Sequence, residues 1–476
     1  MLGGTGVFCH TFGPSALYSS IAFSDKLSAC TRSIHFRPSV AFPSGFVSIR
    51  CMLLSRMLEK IFRLLKSVWF IAAVAMLLRV GFLVYKAHVI PAVVLAEVPF
   101  QNEVGNVASA LAQGRGFCCL FRQPTGPTAW LAPVYPVLVA GVFKVFGTFT
   151  LRSFLAAALL NCMFSASASF PLFAVGKRIG NPDIAALAAW SWAVFPSGII
   201  LPFEWIWDTS LSALLAALLL WATIRLIDSP RRGDFALYGL LSGFSLLTNP
   251  ALGALLPFLL GWVVYQDRAN RTQLLRGALL ALATILFTCL PWIVRNEIQF
   301  HRFIPLRSNF KYEFWSGNNE IFDEHSREVN RITQYEQIRL YAMRGESAFL
   351  DEKWQKGLNF VATHPALYAQ LFGRRIVTTW LGTQSPVHDF LQTDVLLVRF
   401  LLLWNAFVLL GVTIGLVRLF LWRSVYLFPL ASFPLIFPLT FYIAHTSLRH
   451  RHPCDPILAL LMAVAVSRTG VPVDGE

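Results

Sequence analysis

The sequence predicts an all-α protein that crosses a membrane many times, and three observations predict it. Apolar residues make up 56% of the 476 residues and charged ones 14%, with a mean hydropathy of +0.58. The apolar residues fall in repeated runs near the ~20 residues that a helix needs to cross a bilayer. In lipid every backbone N–H and C=O must be satisfied internally, so only helices or closed barrels can span, and runs this long suit helices. The third observation is charge. A formal +15 would point to nucleic acid in a soluble protein, but much of it flanks apolar runs, as the positive-inside bias requires. No nucleic-acid partner is expected; membrane lipids are.

Residues 1–50 stand apart. They are rich in Ser and carry Lys26, Arg32, Arg37 and Arg50 against Asp25. That composition is similar to a transit peptide; the competing reading is an upstream start, with Met52 or Met57 as the natural beginning. The segment is expected to be poorly ordered. About ten spans follow from hydropathy and loop charge. The first is 67–85, with Lys60, Arg63 and Lys66 inside. An outer loop, 86–150, then contains a short apolar helix near 134–146. Spans 152–175, 184–201 and 209–227 come next, with Lys177, Arg178, Arg231 and Arg232 on the inner side. A hairpin, 235–247 and 251–265, encloses the turn Thr248-Asn249-Pro250, and 274–294 completes an N-terminal membrane core, 51–294. A polar, partly helical region, 295–392, reads as an extracytoplasmic cap. Spans 395–421, 425–443 and 457–466 lie in the C-terminal part, 393–476. An even count leaves both ends inside.

The outer loop opens with PFQNEVGNVASALAQGRG, residues 99–116. If 103–113 is helical, Val104, Val107, Ala108 and Leu111 share one stripe and Glu103, Asn106 and Gln113 another. Gly114 and Gly116 end it, since glycine readily takes the left-handed conformation. Such a helix lying on a bilayer would hold Glu103 over the headgroups; the alternative is a plain interfacial connector.

Acids are nearly absent from the apolar interiors, where each would cost roughly 2.5–3.5 kcal/mol. Glu97, Glu103, Glu204 and Asp208 instead sit at outer mouths. Glu204 and Asp208 are four apart, on one face if helical. Asp208 before Thr209-Ser210-Leu211 also reads as a helix N-cap, and Trp205 and Trp207 as interfacial aromatics. Arg295, Arg307, Lys311, Arg449 and Arg451 are expected at the same outer surface, against the insertion bias. Arginine forks match phosphate oxygens bidentately, so an anionic partner or a headgroup anchor is implied. His445, His450 and His452 lack a carboxylate or cysteine at ligand spacing, so no metal ligand is assigned and a divalent metal stays an alternative. Cys118 and Cys119 are adjacent, and the eight cysteines form no disulfide framework.

The ordered series NEVGNVASALAQGRGF, GPTAWLAPVYPVLVAGVFKVFG, SGFSLLTNP, PWIVRNEIQFHRFIPLRSNFKYEFWSGNN and RHRHPCDPILALL resembles glycosyltransferase family 39. That group includes protein O-mannosyltransferases and the lipid A aminoarabinose transferase. The resemblance covers about residues 60–468. It implies a GT-C-like fold and a polyprenyl-phosphate-linked sugar donor. Transfer of a hexosyl or pentosyl group would go to a lipid, glycan or protein acceptor on the extracytoplasmic side of a bacterial inner membrane. The family's loop acid maps onto Glu103. Two departures are Asn102, where many relatives carry a second acid, and Asn249, where many carry a basic residue.

A carboxylate removing the acceptor proton is worth about 10²–10⁴ in rate, and preorganised arginines stabilise a departing phosphate. Glu103 is therefore expected as general base. Arg307, Arg449 and Arg451 are expected on phosphate, with Glu204 and Asp208 on sugar or acceptor. A lipid or solute transporter and a non-catalytic partner in envelope glycan assembly are the competing classes.

Overall fold

Helices account for every α or 3₁₀ element in the computed structural model, which describes residues 57, 59–228, 231–266, 270–319, 335–383 and 395–467. The only β pairing among them is an isolated antiparallel bridge between Cys118 and Pro127. The expectation for residues 1–50 falls outside the described residues, as do parts of the cap, 320–334 and 384–394. The chain divides after Ile61, and the body beginning at Phe62 contains the helices from Val68 onward.

In chain order the helices are α1 Val68–Val89, α2 Ala92–Glu97, α3 Glu103–Ala112, α4 Val134–Phe146, α5 Leu151–Ser167, α6 Ser169–Ile179, α7 Pro182–Ala193, α8 Pro196–Glu204 and α9 Thr209–Asp228. They continue as α10 Arg232–Leu246, α11 Leu256–Gln266, α12 Arg271–Phe300, α13 Phe310–Gly317, α14 Tyr335–Arg344, α15 Glu346–Thr363 and α16 Pro365–Leu381. The last five are α17 Leu396–Leu421, α18 Leu427–Leu435, α19 Leu439–Ile443, α20 Leu448–Arg451 and α21 Asp455–Val466.

Among the described residues five helical stretches are long and apolar enough to cross a membrane: α1, α5 with α6, α9, α12 and α17. A sixth appears if α7 and α8, bent by 40° at Pro196, count as one. By length and composition the chain is an integral membrane protein. About ten spans are expected from the sequence; among the described residues several of the expected stretches are short or broken helices, and proline accounts for some of the breaks, since it cannot donate to the helix ladder. Pro250 opens a 3₁₀ turn before α11, and Pro434 and Pro438 break the stretch expected at 425–443 into α18 and α19. With 12 residues, α21 reaches only ~18 Å.

α9 and α21 form the centre. Both are apolar almost all round and buried along most of their length, as fits helices enclosed by other helices. α21 packs against α17 and α7, and α9 against α5, α6, α10 and α11. The ends of α9 are chemically unlike. Asp228 at its C-terminus receives the Arg178 guanidinium at 2.7 Å, and Arg225 faces Asp234 at 3.5 Å. Asp208 stands at the other end, ~30 Å away along a 20-residue helix.

Candidate functional site

Four chain segments meet at the Asp208 end. The first is the start of α3. Asn102 caps it: its Oδ1 accepts the Gly105 N–H at 3.0 Å and its Nδ2 donates to the Pro99 carbonyl at 2.9 Å. Glu103 is thereby the first helical residue, where a carboxylate meets the positive end of the helix dipole. Gly105 is required here, because a Cβ would collide with the Phe100 carbonyl. The predicted stripe Val104, Val107 and Ala108 is buried against protein rather than lipid headgroups, and Gly114 and Gly116 take φ of 75° and 83°. The helix and its stops thus match the sequence pattern, while its apolar face has a different cover.

The second segment precedes α9. The Asp208 carbonyl accepts the Ser212 N–H at 2.8 Å and its carboxylate the Ser212 hydroxyl at 2.9 Å. Asn249 donates to the same hydroxyl at 3.2 Å, so the Thr248-Asn249-Pro250 turn reaches Asp208 through one serine.

The third segment carries Arg307, Asn309 and Glu313. It is held from outside by Glu346, which is 4% exposed yet fully hydrogen-bonded. Glu346 accepts from the Thr128 hydroxyl at 2.5 Å, Ala129 N at 2.9 Å, the Ser308 hydroxyl at 2.7 Å and the Tyr341 hydroxyl at 2.6 Å. This one carboxylate ties the first long loop to the cap, as buried charge demands. At the far end of α13, buried Arg375 donates to the carbonyls of Gly317, Tyr442 and Ile443 and to Asn318 Oδ1.

The fourth segment, 444–451, is thereby docked on α13. His445 Nδ1 lies 3.2 Å from Glu313 Oε2. The Arg449 guanidinium sits 3.4 Å above the Trp207 ring, a close cation–π contact, and its Nη2 is 3.2 Å from His450 Nε2.

Arg449 therefore lies in the field of Glu103, Asp208 and Glu313, and Arg307 in that of Asp208 and Glu313. Burial raises the Asp208 carboxyl, opposed by the Ser212 hydroxyl and then by Arg307 and Arg449. Glu313 is pushed up to about 7 by burial and by the neighbouring Glu103 charge; Arg307, Arg449 and the Asn309 amide, 3.2 Å away, pull the other way. Arg307 and Arg449 are lowered by burial and held up by these acids, Arg307 by Asp208 and Glu313, Arg449 first by Glu103. A cavity of about 400 Å³ adjoins the cluster, lined by apolar and aromatic side chains including Ile200, Trp205, Trp207 and Trp404, with Glu204 and Arg449.

Of the residues expected from sequence, Glu103, Asp208, Arg307 and Arg449 come together. Glu204 is exposed and lines the cavity rather than joining the charge cluster. Arg451 also lines the cavity, but its guanidinium is committed to protein: Asp455 at 3.0 Å, the Trp380 carbonyl at 3.0 Å and Asn405 at 3.1 Å. Arg295 and Lys311, expected as surface cations, are also engaged. Arg295 donates to the Thr128 and Phe117 carbonyls at 2.8 Å each, and Lys311 pairs with Asp351 at 2.5 Å. Sequence reading missed Glu313, Glu346 and Arg375. Glu313 lay inside a stretch read only for its cations; nothing local marks the other two. Among the described residues no group of three His, Cys, Asp or Glu could hold a metal ion.

No family model matches the chain, and no curated protein matches it. Solved structures do. The oligosaccharyltransferase of Archaeoglobus fulgidus in the apo form is 14% identical over 84% of this chain and 49% of that one, with a TM-score of 0.48. The archaeal oligosaccharyltransferase AglB from Archaeoglobus fulgidus, in complex with an inhibitory peptide and a dolichol-phosphate, is 13% identical over 85% and 50%, at 0.46. ArnT from Cupriavidus metallidurans in the apo state is 15% identical over 82% and 78%, at 0.32. The chain spans about half the length of the oligosaccharyltransferases it is similar to.

Proposed function

We propose that this chain is a membrane glycosyltransferase of the GT-C type, moving a sugar from a polyprenyl-phosphate-linked donor to an acceptor hydroxyl on the extracytoplasmic side. The observation that carries the reading is Glu103 in the field of Arg449, which also senses Arg307, at one end of an apolar helix bundle beside an aromatic-lined cavity. Each part has a task. The acceptor oxygen forms a bond to the anomeric carbon as the bond from that carbon to the phosphate oxygen breaks. Glu103 takes the acceptor's proton. The leaving phosphate gains one negative charge, and Arg307 and Arg449 stabilise it where water is scarce. Asp208, held by Ser212, adds a negative field that favours those guanidinium groups in their charged form. The cavity suits the apolar part of an amphipathic donor.

The test is transfer by the purified protein in nanodiscs, offered polyprenyl-phosphate sugars and lipid, glycan and peptide acceptors, alongside mass spectrometry of lipid-linked sugars in a deletion strain. Accumulation of one lipid-phosphate sugar, with loss of that sugar from an envelope glycan, supports the reading. Unchanged lipid-linked sugars together with altered solute uptake would replace it by a transporter.

A further inference from the structure

Arg449 and Arg451 stand two residues apart and are held in opposite ways. Arg451 is neutralised by protein: its guanidinium lies 3.0 Å from Asp455 and donates to the Trp380 carbonyl and Asn405. Arg449 is held by rings. Its guanidinium lies 3.4 Å over Trp207, and its Nη2 is 3.2 Å from His450 Nε2. A cation fixed by uncharged groups keeps its charge for a ligand.

The contact with His450 has only one chemical form. A guanidinium donates and cannot accept, so His450 Nε2 must be the acceptor. That requires a neutral imidazole with its proton on Nδ1. The helix does not supply the contact by itself, because successive side chains of α20 diverge rather than face each other. Rings outside α20 turn the pair together. Trp207 covers Arg449, and the Phe441 ring lies parallel to the His450 imidazole, 6° apart at 4.8 Å. His450 thus faces Arg449 on its own segment and Phe441 from α19. His445 meets it edge-on at 5.0 Å, and Glu313 of α13 lies 3.2 Å beyond, against His445 Nδ1.

We infer that His450 is a positioning residue for anion binding: as a neutral acceptor it holds the Arg449 fork against Trp207, ready for the donor phosphate. It acts through Arg449 and touches no reacting atom. The inference rests on the glycosyl-transfer reading for the identity of the anion. A pH dependence follows, and its sign is fixed. Protonating His450 removes the lone pair that Arg449 uses and sets two cations 3.2 Å apart. An anion on the remaining N–H groups of Arg449 is farther from the ring than the guanidinium itself, so the repulsion decides. Affinity is therefore held while His450 is neutral and is lost as falling pH charges the imidazole.

The experiment is calorimetric titration of the whole protein in nanodiscs with a synthetic polyprenyl methyl phosphodiester, whose own charge is constant from about pH 5.5 to 8. His450→Gln keeps an acceptor oxygen but cannot take a proton. His450→Phe keeps a ring against Phe441 but has no acceptor. At pH 8 the Kd of His450→Gln should lie near wild type. That of His450→Phe should be about tenfold weaker, the scale of one hydrogen bond to a charged group, with thermal stability unchanged. Toward pH 5.5 the wild-type Kd should weaken up to about tenfold relative to His450→Gln. The ratio isolates His450, because Glu103, Asp208, Glu313 and His445 titrate in both proteins. Wild-type affinity in His450→Phe overturns the inference. So does a wild-type-to-Gln ratio that does not change with pH, even if His450→Phe misfolds. No binding by wild type at any pH would remove the glycosyl-transfer reading itself, and this inference with it.

Discussion

The carbonyl oxygen of Ala444 occupies the space that a Cβ on Gly317 would need. That contact brings the end of α13 onto the segment leading to His445, and Arg375 fastens it by bonding both sides. Gly317→Ala cannot be absorbed by a rotamer change, because the obstacle is backbone. It should destabilise by about 1–3 kcal/mol, the usual cost of overpacking. Thermal unfolding in detergent measures that. Stability equal to wild type would show that the contact between α13 and the His445 segment is looser than described.

Glu346 is a structural carboxylate rather than a reacting one. Its four donors come from the first loop, the Arg307 segment and α14. Glu346→Ala leaves buried donors without an acceptor, at about 1–3 kcal/mol for each that water cannot reach. Limited proteolysis should then cut near Thr128 or Ser308 under conditions that leave wild type intact. An Ala variant as resistant as wild type would mean that the loop is held by something else.

The three candidate arginines should separate by experiment. Lysine keeps the charge of Arg449 or Arg307 but loses the planar fork. Losing one charge-assisted bond of about 1.5–3 kcal/mol raises donor KM about 10–100-fold, with thermal stability near wild type. Arg451→Met should do the reverse, leaving Asp455 buried without its cation at a cost of about 3–5 kcal/mol in stability. If Arg451→Lys stays as stable as wild type yet loses donor affinity, Arg451 belongs with the phosphate ligands after all.

These contrasts show what the sequence could carry. The helix that begins at Glu103 was legible because it is local: an apolar stripe and two stopping glycines lie within fifteen residues. Asp208 and Arg449 were legible as charges at the ends of apolar runs, where charge is costly unless used. The span count was less so, because hydropathy registers the apolar run at 425–443 but not the break that Pro434 and Pro438 make in it. Glu313, Glu346 and Arg375 were beyond reach for another reason. Their partners lie between 4 and 218 residues away along the chain, and a polar residue in a polar segment gives no sign of those partners until the fold brings them together.

The proposed orientation can be tested at the two ends of α9. Gly317 meets Ala444 at the site end, whereas Arg178 and Asp228 pair at the other end of α9. Single cysteines at exposed His301 and at His450 should label together with an impermeant reagent in intact cells, and one at Arg231 only after permeabilisation. Labelling of the His450 position only after permeabilisation would invert the proposed sidedness and separate the site from an extracytoplasmic acceptor.

Glu103 gives the most direct test of the chemistry. It is the first residue of α3, and its neighbours Asn102 and Gly105, not its own carboxylate, build the helix start. Glu103→Gln preserves size and the ability to hydrogen-bond but cannot take the acceptor's proton. Turnover should fall by about 10²–10⁴, the range a positioned base supplies, while thermal stability and phosphodiester binding stay near wild type. Glu103→Asp should lie between the two, since the shorter side chain withdraws the carboxylate from the acceptor. Glu97 serves as the control: it is half exposed, paired loosely with Arg122 at 3.7 Å, and Glu97→Gln should leave turnover unchanged. A folded Glu103→Gln protein with wild-type kcat would remove Glu103 as base and pass the role to Asp208, the next carboxylate within the field of both arginines.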